Sequence, residues 1–338
     1  MVVLLSTLKL TGWVELDGER LTDRRIGTLL RENPKEILRC GGEFFFAGQG
    51  CRGRDHFGIL QGNCPKGTLI CNDRVIGTIE PAVPDLPLGE AIERAVSLRS
   101  DEGITALSGG VDSTLVAALA RRECMVVGLE GSHDLARARR VADALGLNCA
   151  AVVIRPAGIA EALPVVIGAI PARDPVNTGI ALTQYFIAQF AGQQGYKRIL
   201  TGQGADELFG GYTRYLSSGN LAADLDRDFA GLEQQAARDQ AIAALHGTYL
   251  SMPYLDMRVV RAARAIPVEE KVAGGHRKVP LRKVAEQYIP PEFAWYEKKA
   301  MQYGSGVWKE LQKLARKNGY KTSVQDYIDQ LYRVEHGH

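Results

Sequence analysis

The sequence predicts an α/β protein, a parallel-sheet domain with a helical C-terminal part, preceded by a small antiparallel β domain. Three observations predict it. From about residue 88, short apolar runs alternate with helical stretches, the pattern of a parallel sheet. Before that, the apolar runs are short and punctuated by glycine, as in hairpins. Between the two, Pro81, Pro84 and Pro87 mark a boundary, which gives domains over 1–84 and 85–338.

The elements follow in order. Residues 22–38 carry Ile26, Leu29, Leu30 and Ile37 at helical spacing, interrupted by Pro34. Gly41-Gly42 opens an apolar strand over 43–46, and short strands follow over 68–71 and 75–79. Beyond the prolines come a helix over 90–99, a strand over 104–107 and, after a Gly/Ser turn, a helix over 113–122. Strand 124–129, helix 134–145 and strand 149–154 repeat the alternation. Helix 180–194 leads to strand 198–201, and the chain from about residue 224 is mostly helical.

The chain has 338 residues, 46% of them hydrophobic and 24% charged, enough apolar material for a sizeable core. Its formal net charge of +2 gives no strong field toward nucleic acid or an anionic membrane. The apolar start is interrupted by Lys9 and does not read as a signal peptide, and no run is long enough to span a bilayer. Cys40, Cys51, Cys64, Cys71, Cys124 and Cys149 therefore read as free thiols of a cytoplasmic protein. The spacings around Cys51, His56, Cys64 and Cys71 are not those of zinc ribbons, although a metal site and a sulfur-passing thiol stay open.

The most informative segment is Leu107-Ser108-Gly109-Gly110-Val111-Asp112-Ser113, between a strand and an alanine-rich helix. The glycines let an oxyanion approach the backbone, and the helix offers unpaired N–H groups at its positive end. Ser108 and Ser113 add hydroxyls. Asp112 would repel a bare phosphate, which points to Mg²⁺ between carboxylate and phosphate. A second segment, Thr201-Gly202-Gln203-Gly204-Ala205-Asp206-Glu207, also follows a strand. Loops at the carboxyl ends of parallel strands share one sheet edge, so Asp206 can join Asp112 as a metal ligand. There is no Gly-Lys-Ser/Thr phosphate loop and no complete dinucleotide fingerprint.

The first segment resembles the pyrophosphate loop of ATP pyrophosphatases that cleave between the α and β phosphates. With the second, residues 88–310 resemble the synthetase domain of the asparagine synthetase family. Thr201 to Tyr212 matches its Ser/Thr-Gly-x-Gly-x-Asp-Glu-x-Phe-Gly-Gly-Tyr pattern. Gly128 to Leu135 resembles its second-strand loop, with Val127 near the adenine; Met252-Pro253-Tyr254-Leu255-Asp256 and Trp295-Tyr296-Glu297-Lys298 resemble two later segments. The resemblance implies an adenine nucleotide alpha hydrolase-like fold. It implies ATP and Mg²⁺ as cofactors, held by Leu107, Ser108, Gly109, Gly110, Asp112, Ser113, Val127, Thr201 and Gly202, with Asp112 and Asp206 on the metal. Lys298, Gln203 and Asp206 would act in catalysis, Lys298 on the pyrophosphate; alone, beside Lys299, it reads as a surface lysine.

The activity implied is formation of an acyl-adenylate and its transfer to ammonia or an amine. The alternatives are an adenylating RNA- or cofactor-modifying enzyme and a non-catalytic relative. The expected partners are a small-molecule carboxylate, ammonia or an amine, an ammonia-supplying protein and a second copy in a homodimer, with no membrane and no nucleic acid. The family's glutaminase domain begins with a nucleophilic cysteine after Met1, and Val2 stands there, so residues 1–84 read as a truncated glutaminase-like remnant without glutaminase activity. Gln203 replaces the family's usual carboxylate, and an arginine is lost at Asn177-Thr178-Gly179. A Glu-x-Arg is replaced by Tyr249-Leu250-Ser251, and all three changes count against aspartate as the substrate. Tyr212, Tyr215 and Tyr249 fit either a substrate pocket or core packing.

Overall fold

In the computed structural model, residues 8–297 and 300–336 are described. Strands β1 (Lys9–Leu16), β2 (Glu19–Arg20), β3 (Gly41–Gly48), β4 (Cys51–Arg54), β5 (Thr68–Cys71) and β6 (Arg74–Thr78) form an antiparallel sheet in the order β2-β1-β3-β4-β5-β6. Helix α1 (Asp23–Glu32) is capped by Thr22, whose side chain accepts the Arg25 N–H. Its stripe of Ile26, Leu29 and Leu30 buries against Phe44 and Phe46 of β3. The expected free thiols at Cys51 and Cys71 are corrected here. The β4–β5 register sets these residues opposite each other, Cα atoms 4.0 Å apart, and they form a disulfide. Cys40, Cys64, Cys124 and Cys149 are free.

The second sheet is parallel. After α2 (Leu88–Ser97), the chain runs β7 (Ile104–Ala106), α3 (Val111–Ala120), β8 (Cys124–Leu129), α4 (His133–Leu145), β9 (Cys149–Ile154), α5 (Pro156–Ala169), α6 (Pro175–Gln193), β10 (Arg198–Leu200) and α7 (Ala205–Phe209). It continues through α8 (Leu221–Ala230), α9 (Leu232–Ala244), β11 (Tyr249–Ser251) and α10 (Met257–Ala265). The sheet order is β11-β10-β7-β8-β9, with every pair parallel. The chain therefore winds from β7 to one edge, returns to β10 and winds to the other, so the strand order reverses between β7 and β10. In open parallel sheets, that reversal opens a crevice beyond the carboxyl ends.

Successive β8 residues serve opposite faces: Met125 and Val127 enter the core with α5 and α6, while Val126 enters the core with α2, α3 and α10. The last part comprises α11 (Val268–Lys271), the hairpin β12 (Val272–Ala273) and β13 (His276–Arg277), α12 (Val279–Ala285), α13 (Pro291–Ala294), α14 (Met301–Gly304), α15 (Val307–Lys317) and α16 (Val324–His336). Among the described residues, no helix is long and apolar enough to cross a membrane.

Two differences from the sequence reading have physical reasons. Helix α5 is absent from that reading because Pro164 lies inside it, where a proline removes a backbone donor. Helix α6 starts five residues before the expected 180, because Asp174 caps it and Pro175 takes its first turn. The Asp174 carboxylate accepts the Val176 and Asn177 N–H groups at 3.1 and 3.0 Å. Burial alone would raise its pKa, yet the hydrogen bonds from Asn177 and Val176 outweigh burial and hold it below the ordinary range. A carboxyl depressed in the folded state stabilises above its ordinary pKa and loses that contribution as pH falls. Asp174→Ala is expected to cost about 1 kcal/mol at neutral pH. The gap from the wild type in urea unfolding should close in strong acid.

The two sheets are joined by a buried charge cluster. Glu43 on β3, fully buried, accepts from Arg99 Nε (2.8 Å), Met252 N (2.7 Å), Ser251 Oγ (2.5 Å) and Trp13 Nε1 (3.3 Å). Glu15 on β1 pairs with Arg258 of α10 through both oxygens at 2.8 Å, and Asp256 bridges Arg258 and Arg99. Ile59 and Leu60, from the loop after β4, enter the same core as Ile104 and Met125.

Candidate functional site

Loops 107–110 and 201–204 leave β7 and β10 at the reversal of strand order. Gly109 adopts φ +79, and a Cβ there would lie 2.5 Å from Arg137 Cγ, so glycine is required. Ser113 Oγ, in the first turn of α3, accepts the Ser108 N–H at 3.1 Å and lies 3.0 Å from Ser108 Oγ. The two hydroxyls thus sit at the helix N-terminus. The second loop packs directly on this turn: a Cβ at Gly202 would lie 2.8 Å from both Asp112 Cβ and Ser113 N.

Asp112 comes from α3 and Asp206 from α7, and both reach one cation. Lys278 Nζ lies 2.7 Å from each Asp112 carboxylate oxygen and 2.6 Å from Asp206 Oδ1. Lys278 is 3% exposed and Asp112 1%. Buried charges persist only when paired, and here opposite charges meet at the floor of the crevice. Lys278 sits just before α12 with φ 58, and the β12–β13 hairpin delivers it. Nothing in the sequence reading singled it out. The cue it offers is a single lysine after His276-Arg277, with no periodicity to set it apart.

The crevice is a cavity of about 300 Å³. Of the residues singled out by sequence, Leu107, Ser108, Asp112, Ser113, Val127, Thr201, Gly202, Gln203 and Asp206 line it. Gly109 and Gly110 shape the turn beneath without lining it. Lys298 lies outside the described residues, but its neighbours Tyr296 and Glu297 line the rim. Glu297 is paired with Arg277 and Arg282, and Tyr296 stacks under Arg137, 3.8 Å from the ring centre, and bonds His133 Nε2.

Away from Val127, the wall is built of amides and charge pairs; sequence reasoning named Gln203 but missed Arg238 and its pairing with Asp239. Gln203 Oε1 accepts from Thr201 Oγ1 at 3.2 Å, and its amide nitrogen donates to Asp239 Oδ2. Asp239, fully buried on α9, holds Arg238 through both oxygens at 2.7 and 3.0 Å, and Arg238 also bonds Asn177. This explains the departure at position 203. An amide can donate to Asp239, whereas a carboxylate there would face another carboxylate. Gln203→Glu therefore creates a pair that favours the protonated form of the new group. Its destabilisation, about 1–3 kcal/mol for a disrupted buried bond, should appear in urea unfolding at pH 8 and shrink toward pH 5.

The tyrosines divide. Tyr212 lines the cavity and donates to Glu207, whose pKa burial and the nearby Asp206 charge raise. Tyr215 is buried against Asp228, and Tyr249 bonds Arg198 outside the cavity. Tyr254 is structural, donating to the Asp112 carbonyl at 3.0 Å, and Asp256 caps α10. No cysteine among the described residues lines the cavity. Burial, with Glu36 nearby, pushes the Cys40 thiol up to about 12, and Cys51 is in its disulfide.

The family model described as asparagine synthase matches residues 88–242 and 230–332. The chain is 35% identical over 67% of its length to "Putative asparagine synthetase (glutamine-hydrolyzing) 1" of Methanocaldococcus jannaschii, covering 50% of that protein. It is 27% identical over 60% of its length to the glutamine-hydrolyzing asparagine synthetase B of Escherichia coli, covering 40% of it. It is also 28% identical over 69% of its length to carboxyethyl-arginine beta-lactam-synthase of Streptomyces clavuligerus, covering 48% of that protein. The chain thus spans about half the length, or less, of these relatives. Its two switch-point loops and the sheet that carries them lie inside the matched span, and the chain belongs to the asparagine synthase family.

Proposed function

We propose that the chain is an ATP-dependent ligase that activates a carboxylate as an acyl-adenylate and transfers the acyl group to ammonia or an amine. The observation that carries this reading is the convergence of Asp112 and Asp206, from two separate loops, on one cation beside the N-terminus of α3. A carboxylate oxygen of the substrate attacks the α-phosphorus of ATP, the bond to the β-phosphate oxygen breaks, and pyrophosphate leaves. The nitrogen nucleophile then attacks the acyl carbon, AMP departs with the electron pair of the C–O bond, and the nitrogen gives up a proton.

The residues have separable tasks. The α3 N–H groups with Ser108 and Ser113 bind the departing phosphates through preorganised donors. Leu107 and Val127 hold the adenosine in the apolar end of the cavity. Lys278 supplies positive charge where negative charge accumulates, and Lys298 is proposed to do the same. Two hard carboxylates able to share one cation are a donor set that suits Mg²⁺, so Asp112 and Asp206 would hold it once Lys278 swings aside. When bound, the ion neutralises phosphate charge.

We further propose that nitrogen arrives as ammonia or an amine, not by glutamine hydrolysis on this chain. In the N-terminal sheet, Cys51 and Cys71 are bonded to each other, and Cys40 and Cys64 are buried. The test is product analysis with Mg²⁺, ATP, ammonia and a panel of carboxylates. AMP and pyrophosphate are expected; ADP and phosphate would refute the adenylation. Glutamate released from glutamine by the pure chain would refute the nitrogen source.

A further inference from the structure

We propose that the acyl substrate carries no second carboxylate, and that its far end presents an N–H donor such as an ammonium, a guanidinium or an amide. This rests on the ligase reading above and narrows its substrate. That reading gives the nucleotide to Leu107 and Val127, and we assign the acyl group to the polar lining of Gln203, Tyr212 and Arg238 in the same cavity.

Charge decides what that lining accepts. Among the described residues, the cations lining the cavity are Arg238, Arg277, Lys278 and Arg282, and each is in an ion pair. Arg238 is the one in the acyl lining. Its Nε and Nη2 are taken by both oxygens of Asp239, and Nη1 donates to Asn177. Its charge is thereby cancelled by a buried carboxylate. A second substrate carboxylate would lose its hydration here and meet no unpaired cation among these residues.

A separate observation favours a donor. Gln184 lies two turns along α6 from Asn177, which bonds Arg238, and lines the same cavity while only 2% exposed. Its amide oxygen is buried with no hydrogen-bond partner. Buried acceptors are ordinarily satisfied, so an unpaired one in a binding cavity is built to receive an N–H from the ligand.

The test is ATP–pyrophosphate exchange with acids matched in length: succinate against 4-aminobutyrate, and glutarate against 5-aminopentanoate. The amino acids of each pair are expected to be better by about 100-fold in kcat/KM, the scale on which a site rejects a mismatched polar group. Asp239→Asn, which unmasks the Arg238 charge, should move the ratio toward the dicarboxylate by about tenfold or more. Gln184→Leu should raise KM for the amino acid and leave KM for ATP unchanged. The wild-type ratio decides the matter even if a variant fails to fold. Equal or better exchange with the dicarboxylates overturns this inference and leaves the ligase reading standing. A rise in KM for ATP with Gln184→Leu removes Gln184 from the acyl site and overturns the donor half. Absence of exchange with every acid, while ATP still binds, overturns the ligase reading and this inference with it.

Discussion

Lys278→Met is expected to reduce ATP–pyrophosphate exchange to about 1% of the wild-type rate, the scale for removing a preorganised charge from a developing anion. The substitution keeps the length of the side chain and removes the ammonium that lies 2.6–2.7 Å from Asp112 and Asp206. It has a second signature. Asp112 is buried, and taking an ion-pair partner away from a buried charge costs about 3–5 kcal/mol. A divalent cation can replace the lost ammonium between the two carboxylates. Without nucleotide, the variant should therefore be strongly destabilised in EDTA and recover much of the loss in Mg²⁺, whereas the wild type should respond far less. Unchanged stability in EDTA would mean that Lys278 does not hold the carboxylates together.

Glu43→Ala is expected to cost about 3–5 kcal/mol in chemical denaturation, the range for breaking a buried ion pair. Four donors converge on this carboxylate, two of them from Ser251, the last residue of β11, and Met252 after it. Its loss leaves Trp13 Nε1 and the Met252 N–H buried without an acceptor. The effect should reach the site. Ser251 O accepts both the Thr201 N–H at 3.0 Å and Thr201 Oγ1 at 3.2 Å, and Thr201 in turn holds Gln203. A folded Glu43→Gln protein should keep most of the stability and show a raised KM for the carboxylate. If Glu43→Ala unfolds at the wild-type denaturant concentration, the N-terminal sheet does not brace the synthetase sheet.

β8 and β9 match their expected limits residue for residue: burial on both faces of the inner strand β8 writes a near-continuous apolar run, and the edge strand β9 keeps an apolar run although it is only partly buried. The two loops were legible because their glycines and acidic residues have few other uses after a strand. The sequence hid what long-range contacts supply. Lys278 reaches Asp112 across 166 positions from a hairpin with no pattern of its own. Arg238 and Asp239 look like a solvated pair on an amphipathic helix, yet packing of α9 on α6 buries them. The Cys51–Cys71 bond depends on the β4–β5 register, which short glycine-rich strands do not announce. Helix α5 was hidden by its own interior proline.

The central claim is that Asp112 and Asp206 build one site for splitting ATP at its α-phosphate. Incorporation of labelled pyrophosphate into ATP, measured with the wild type and Asp112→Asn on the same carboxylate, tests it most directly. The account predicts carboxylate-dependent exchange in the wild type and a loss of about 100-fold or more in the variant, as expected for removing a charge that organises the leaving group. Exchange of equal rate in the folded variant would contradict it.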